Sequence, residues 1–260
     1  MLRLGTVPYL NALPLVAGLD ACPGVQLTAA VPSQLAPLLR QGALDLALVS
    51  AIELFRDPPL RWVSGPAITS CGPVRSINLY LRRPADQLQR VALDTSSLTA
   101  AALTQVCLAR FLECPAYEIV PAPPELPLSA IDADGVLRIG DPALRTEPEG
   151  LDVLDLGAVW SEHTGLPFVY ALWLAGPRCP ADANLAPLAQ AREQGLNQRS
   201  TLAERFAAEH SLPAELCRDY LAHSIGYSLG ADELAGLALF GRLAHELGLV
   251  DRDVMGPAFS

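Results

Sequence analysis

The 260-residue chain contains no lysine: its 18 basic residues are all arginine, set against 28 aspartates and glutamates, for a formal charge of −10. That absence removes several mechanisms together, because Schiff-base chemistry, a pyridoxal phosphate anchor and a Walker-type phosphate loop each require a lysine amine. The arginines are scattered singly apart from Arg82-Arg83, so the basic patch that grips nucleic-acid phosphates is missing too, and no nucleic-acid partner is expected. No apolar run approaches the ~18 residues that suggest a membrane span. Met1-Leu2-Arg3 leads into strand-like sequence instead of a charged segment followed by a long apolar one. A soluble, cytoplasmic protein with no membrane partner is the expectation. The six cysteines, at 22, 71, 107, 114, 179 and 217, form no Cys-x-x-Cys pair and have no companion histidine at metal-ligand spacing. They read as buried free thiols in a reducing compartment, and no metal is expected.

What is present is ample core material. The hydrophobic fraction of 51% over this length supports one large domain or two lobes. Apolar runs alternate with helical patterns, which reads as an α/β chain. Strands are expected over Arg3 to Val7, Thr28 to Val31, Leu44 to Val49, Arg61 to Val63, Ser76 to Leu81, Arg90 to Leu93, Tyr117 to Val120, Gly135 to Ile139 and Phe168 to Leu174. After Pro187 the chain turns helical, with apolar residues at three- and four-residue spacing over 189–194, 201–209, 214–223 and 232–247. Thr201 and Glu204 fit a capping box. There is no internal repeat, and the one biased tract is the proline-rich Pro121 to Pro127 loop.

Several uncharged polar residues stand where strands end. Asn11 follows the first strand beside Tyr9; an amide there orients a hydroxyl or a carboxylate without exchanging protons, or it is a turn residue. Ser50 opens Ser-Ala-Ile-Glu53, a capping box whose hydroxyl can serve as cap, ligand contact or both. Thr95, Ser97 and Thr99 form a hydroxyl-rich turn where a strand becomes an alanine- and leucine-rich helix, suited to an anion and equally to ordinary N-capping. In Gly72-Pro-Val-Arg-Ser76, strand alternation puts Val74 and Ser76 on one side and Arg75 on the other. Ser76 is the cleft candidate there, while Arg75 has a surface or inter-lobe role or clamps a carboxylate. Asp141-Pro142 reads as an N-cap followed by proline at the first helical position. The four histidines, three of them on the C-terminal helices, read as solvated helix faces.

The pattern Gly5-x-Val7-x-Tyr9-Leu10-Asn11-x-x-Pro14 resembles the opening of the chorismate dehydratases of the futalosine route to menaquinone. Leu48-Val-Ser-Ala-Ile-Glu53, Ser70-Cys-Gly-Pro-Val-Arg-Ser76, Ile139-Gly-Asp-Pro-Ala-Leu144 and Asp155-Leu-Gly-x-x-Trp160 with Thr164-Gly-Leu-Pro-Phe168 agree with that family in the same order. The resemblance implies a two-lobed fold of the type II periplasmic-binding-protein kind with a ligand cleft between lobes. Lobe I would comprise 1–83 and 176–260 and the inserted lobe II 84–175, with hinges near Arg83 and Gly176.

The resemblance further implies the dehydration of chorismate, a small dicarboxylate, to 3-[(1-carboxyvinyl)oxy]benzoate, a lyase reaction with no cofactor. Asn11 would orient the reacting group, and Tyr9, Ser50, Ser76, Thr95, Ser97, Thr99, Asp141 and Phe168 would form the substrate pocket. Two departures stand out. Ala51 replaces a serine often seen after Ser50, and Asp94 stands where a hydroxyl is common. Two other readings share the implied shape: a 1,4-dihydroxy-6-naphthoate synthase-like enzyme, whose opening motif differs from Tyr-Leu-Asn, and a solute-binding protein for a small carboxylate, against which the leaderless start counts.

Overall fold

Leu2–Thr6 (β1) and Leu46–Ser50 (β3) pair in parallel, with Val25–Ala29 (β2) on the other side of β1. Between them lie the short helix Leu13–Val16 (α1) and Pro32–Arg40 (α2), each admitting proline in its first turn, where no backbone N–H is needed. β3 reads Leu-Ala-Leu-Val-Ser and every residue is buried, as befits an interior strand covered on both faces. Arg61–Ser70 (β4) follows. The computed structural model describes residues 1–260 except 95, 115 and 260.

The chain then builds a second sheet from Ile77–Leu81 (β5), Arg90–Asp94 (β6), Glu118–Ala122 (β7), Gly135–Ile139 (β8) and Asp152–Asp155 (β9), in the order β7-β6-β8-β5-β9. Leu98–Arg110 (α3) and Gly140–Arg145 (α4) belong to this stretch. Leu156–Thr164 (α5) leads back toward the first sheet. Its N-cap is Asp155, whose carboxylate accepts from the amides of Gly157 and Ala158, and it ends on Gly165 in the left-handed conformation, φ 69°.

Phe168–Ala175 (β10) returns to the first sheet between β3 and β4. The C-terminal helices are Ala186–Asn197 (α6), Arg199–His210 (α7) and Ala214–Asp219 (α8), the last running into a π-helical turn over Tyr220–Ser224. Gly226–Ser228 (β11) adds an edge strand, so the first sheet runs β11-β4-β10-β3-β1-β2, and Ala231–Glu246 (α9) packs against β10. No helix among the described residues is long and apolar enough to cross a membrane, and the six cysteines are free.

The chain changes sheets at 71–76 and at 156–167, which differs from the boundaries expected near Arg83 and Gly176. The strands expected at Ser76 to Leu81 and Phe168 to Leu174 are interior ones: β5 lies between β8 and β9, and β10 between β3 and β4. Burial on both faces accounts for their continuous hydrophobicity. The Thr201–Glu204 capping box is also absent. α7 begins two residues earlier with Gln198 at the cap position, and Glu204 accepts from Ser200 and Arg218.

Candidate functional site

A cavity enclosing about 540 Å³ of atom-free space, counting its mouth, lies between the two sheets. The first sheet contributes Leu48, Ser50 and Ile68, and the second contributes Ile77 and Ile139. Among the described residues, none of the lining side chains carries a charge. The polar ones are Tyr9, Asn11, Ser50, Ser76, Ser97 and Tyr170.

Asn11 sits in a 3-10 turn, Leu10–Ala12, that ends the loop after β1. Its Nδ2 donates to Tyr220 Oη at 3.1 Å, and Tyr220 Oη donates to Ser76 Oγ at 2.8 Å. The remaining amide atom, Asn11 Oδ1, is buried and has no hydrogen-bond partner among the described residues. Tyr220 is 1% exposed, and burial pushes its phenol well above the usual tyrosine range, so it serves as a neutral hydroxyl.

Ser50 does not cap. It precedes the turn Ala51–Phe55 with φ −50° and ψ 128° and makes no capping bond. Its expected partner Glu53 is buried and turned to Arg40, whose Nε and Nη2 reach Oε2 at 3.0 and 2.8 Å. The charge-assisted pair outcompetes a cap, which leaves the Ser50 hydroxyl on the cavity wall.

Ser97 is the N-cap of α3, accepting from the Ala100 amide at 3.4 Å, and also lines the cavity. Thr99 does not line it. Fully buried, its Oγ1 accepts the Ile52 amide at 3.1 Å and so ties α3 to the turn after β3. The two hydroxyls part because side chains two positions apart point to different faces of a helix. Thr95 lies outside the described residues.

Val74 and Ser76 line the cavity and Arg75 points out, paired with Asp219 at 2.9 Å. The cause is a turn and not strand alternation: Arg75 has φ 65°, and the Asp155 carboxylate accepts the amides of Val74 and Arg75 at 3.0 and 2.6 Å.

Asp141 is the second residue of α4 and caps nothing; Ile139 occupies the cap position. Its Oδ1 accepts the Leu10 amide at 3.2 Å, and burial raises its carboxyl to about 6. Asp141 is not among the cavity-lining residues, whereas its neighbour Gly140 is. Gly140 has φ 61°, and a Cβ there would stand 3.6 Å from the Tyr9 ring. Asp94 is fully buried, its Oδ1 engaged by the Ser96 amide and hydroxyl, and it too stays off the cavity wall.

Phe168 belongs to the core. It is 1% exposed and packs at centroid distances of 5.0 Å on Trp160, 5.0 Å on Phe240 and 4.8 Å on Tyr170. Tyr170, two residues on, is the aromatic that lines the cavity, its hydroxyl 2.8 Å from Ser70 Oγ. Sequence reasoning missed Tyr170 as a wall and Tyr220 altogether. Both sit at apolar positions of their elements, so periodicity registers them only as core. The histidines are remote: His163 stacks on Phe111 at 4.8 Å and His210 on Phe206 at 4.0 Å, and none lines the cavity. No cluster of three potential metal ligands occurs among the described residues.

Two α/β sheets flanking a central cavity define a protein of the periplasmic-binding-protein fold. The alkanesulfonate-binding protein of Xanthomonas axonopodis pv. citri superposes with a TM-score of 0.66 at 20% identity, covering 98% of this chain and 95% of that one. A crystal structure from Archaeoglobus fulgidus gives 0.72 at 17% identity, covering 95% and 98%. Sequence narrows the class further. Residues 2–246 match the family model described as menaquinone biosynthesis, and the chorismate dehydratase of Thermus thermophilus is 33% identical over 265 residues, 95% of each chain. A second chorismate dehydratase, from Campylobacter jejuni, is 28% identical over 175 residues, 64% of each chain. The chain therefore belongs to the menaquinone-biosynthesis family indicated by its motifs.

Proposed function

We propose that this protein dehydrates chorismate to 3-[(1-carboxyvinyl)oxy]benzoate and water, acting in the cytoplasm as a carbon–oxygen lyase in menaquinone biosynthesis. The similarity to the Thermus thermophilus chorismate dehydratase across 95% of both chains carries this reading, and the chemistry of the cavity agrees with it. The C3 proton of chorismate is vinylogous to the ring carboxylate. Its removal spreads negative charge into that carboxylate, and loss of the C4 hydroxyl, which leaves as water with the abstracted proton, completes an aromatic ring. Aromatisation drives the reaction, so the protein's task is to position the substrate and to place dipoles where charge develops.

The cavity is equipped for that task. With no carboxylate, imidazole or guanidinium among its described lining residues, the base is the substrate's own enolpyruvyl carboxylate. Asn11 orients the reacting hydroxyl; Tyr9, Ser50, Ser76 and Ser97 contact the substrate. Serine hydroxyls and the free amides at the start of α3 attract the dianion locally despite the acidic charge of the whole chain. Thr99 and Asp141 act one layer behind, through the Ile52 and Leu10 amides they hold.

Incubating the purified protein with chorismate and following loss of the diene absorbance tests the proposal. Stoichiometric appearance of the aromatic ether without added metal or nucleotide is the expected result. Chorismate left unchanged by folded protein refutes it.

A further inference from the structure

Asn11 can present either an oxygen or an NH₂ group to the cavity, and the two attract opposite ligand groups. Three atoms decide the matter. Tyr220 Oη has one proton and lies 3.1 Å from Asn11 Nδ2 and 2.8 Å from Ser76 Oγ. The proton goes to Ser76, so the phenol oxygen accepts from Asn11. This pins Nδ2 toward Tyr220 and leaves Oδ1 buried with no partner among the described residues. Ser76, having accepted from Tyr220, retains its own hydroxyl proton for a ligand.

We propose that Tyr220 is a positioning residue that fixes Asn11 as a hydrogen-bond acceptor and Ser76 as a donor, so that the cavity takes a ligand presenting a hydroxyl to Asn11 and an anionic oxygen to Ser76. The assignment rests on the chorismate reading, since a cyclohexadienol carrying carboxylates offers both groups. An unpartnered buried acceptor is costly, and the ligand hydroxyl relieves that cost. The hydroxyl so held is the one that departs, which makes its orientation matter to turnover more than to affinity. Tyr220 is well placed for the part. It lies in a π-helical turn, an irregularity that recurs at functional sites, and it is a neutral phenol shut away from solvent and not among the cavity-lining residues.

The test is a kinetic cycle on chorismate with Tyr220→Phe, Asn11→Ala and the double variant. Tyr220→Phe keeps the ring and removes the oxygen, so kcat should fall about 100-fold with KM changed less than about threefold. Because Tyr220 acts partly through Asn11 and partly through Ser76, the double variant should be slower than Asn11→Ala by only the share that Ser76 carries, well short of the product of the two single losses. Tyr227→Phe removes another buried hydroxyl, one without a partner among the described residues, and should leave kcat unchanged. Losses that multiply in the double variant, or a fully active Tyr220→Phe, overturn the assignment while wild-type turnover keeps the functional reading intact. A wild type inert toward chorismate overturns both. Neutron diffraction from wild-type crystals gives a second answer that needs no variant: deuterium is expected on the Asn11 atom facing Tyr220, and a carbonyl oxygen there refutes the assignment.

Discussion

The main-chain amide of Leu10 donates to Asp141 Oδ1 at 3.2 Å, joining the loop after β1 of the first sheet to the helix after β8 of the second. Residues 131 positions apart in sequence are thus tied together beside the cavity-lining Tyr9, Asn11 and Gly140. The bond carries a titration with it.

Burial raises the Asp141 carboxyl from 3.8 to about 6. The folded protein therefore binds this proton more tightly than the unfolded chain, and the stability so gained is full below pH 3.8 and lost as pH rises through about 6. The loss amounts to about 3 kcal/mol. Asp141→Asn keeps an acceptor for Leu10 and never ionises. Its melting temperature should exceed that of the wild type at about pH 8 and approach it at about pH 4, and a difference that does not change with pH contradicts the raised carboxyl.

Asn11→Ala should lower kcat/KM by at least about 100-fold while shifting the melting temperature by only a few degrees. Asn11→Asp puts a charge beside a bound anion and should raise KM as well. Steady-state kinetics paired with thermal melts separate these effects from simple unfolding.

Thr99→Val is nearly isosteric, and it strands the buried Ile52 amide. A cost of about 1–3 kcal/mol is expected in urea unfolding, with KM little changed. Thr99→Ser, which keeps the acceptor, should recover most of it. A large KM effect with no loss of stability would move Thr99 into the substrate pocket.

Gly195 of α6 is where a C-terminal helix packs on α1, the short helix that follows the Asn11 turn. A Cβ there would stand 2.0 Å from the Pro14 carbonyl oxygen in α1, three residues past Asn11. Gly195→Ala should therefore cost at least about 2 kcal/mol and also reduce turnover by displacing the Asn11 turn. Gly24→Ala provides the contrast. With φ 81° and open space around it, that change should cost only about 1 kcal/mol and leave turnover alone. Circular dichroism melts and kinetics on the two variants decide between them.

Much of this architecture could be read without coordinates, because long apolar runs such as Leu46–Ser50 and Phe168–Ala175 are unmistakable interior strands. Two of the four edge strands escaped notice. Asp152–Asp155 and Gly226–Ser228 are short and lie at the rims of their sheets, where extended structure depends on the neighbour and not on local propensity. The strand expected at Thr28 to Val31 lies instead at Val25–Ala29, since its pairing begins at Leu2↔Val25 and Pro32 starts a helix.

The order of amino acids alone carries the chemical vocabulary: a chain without lysine, rich in apolar strands, that sets an amide and several hydroxyls where those strands end. It also placed Asn11, Ser50, Ser76 and Ser97 in order along the chain, and the cavity gathers all four. Only the tertiary structure decided that Ser97 lines the cavity while Thr99 holds a backbone amide, that Tyr170 and not Phe168 forms the wall, and that Tyr220 reaches Asn11 from 209 residues away. The physical reason is that periodicity reports which face of an element is buried. What that face meets depends on packing between segments distant in sequence, and a buried tyrosine bonded to the site has the same periodicity as one that only fills the core.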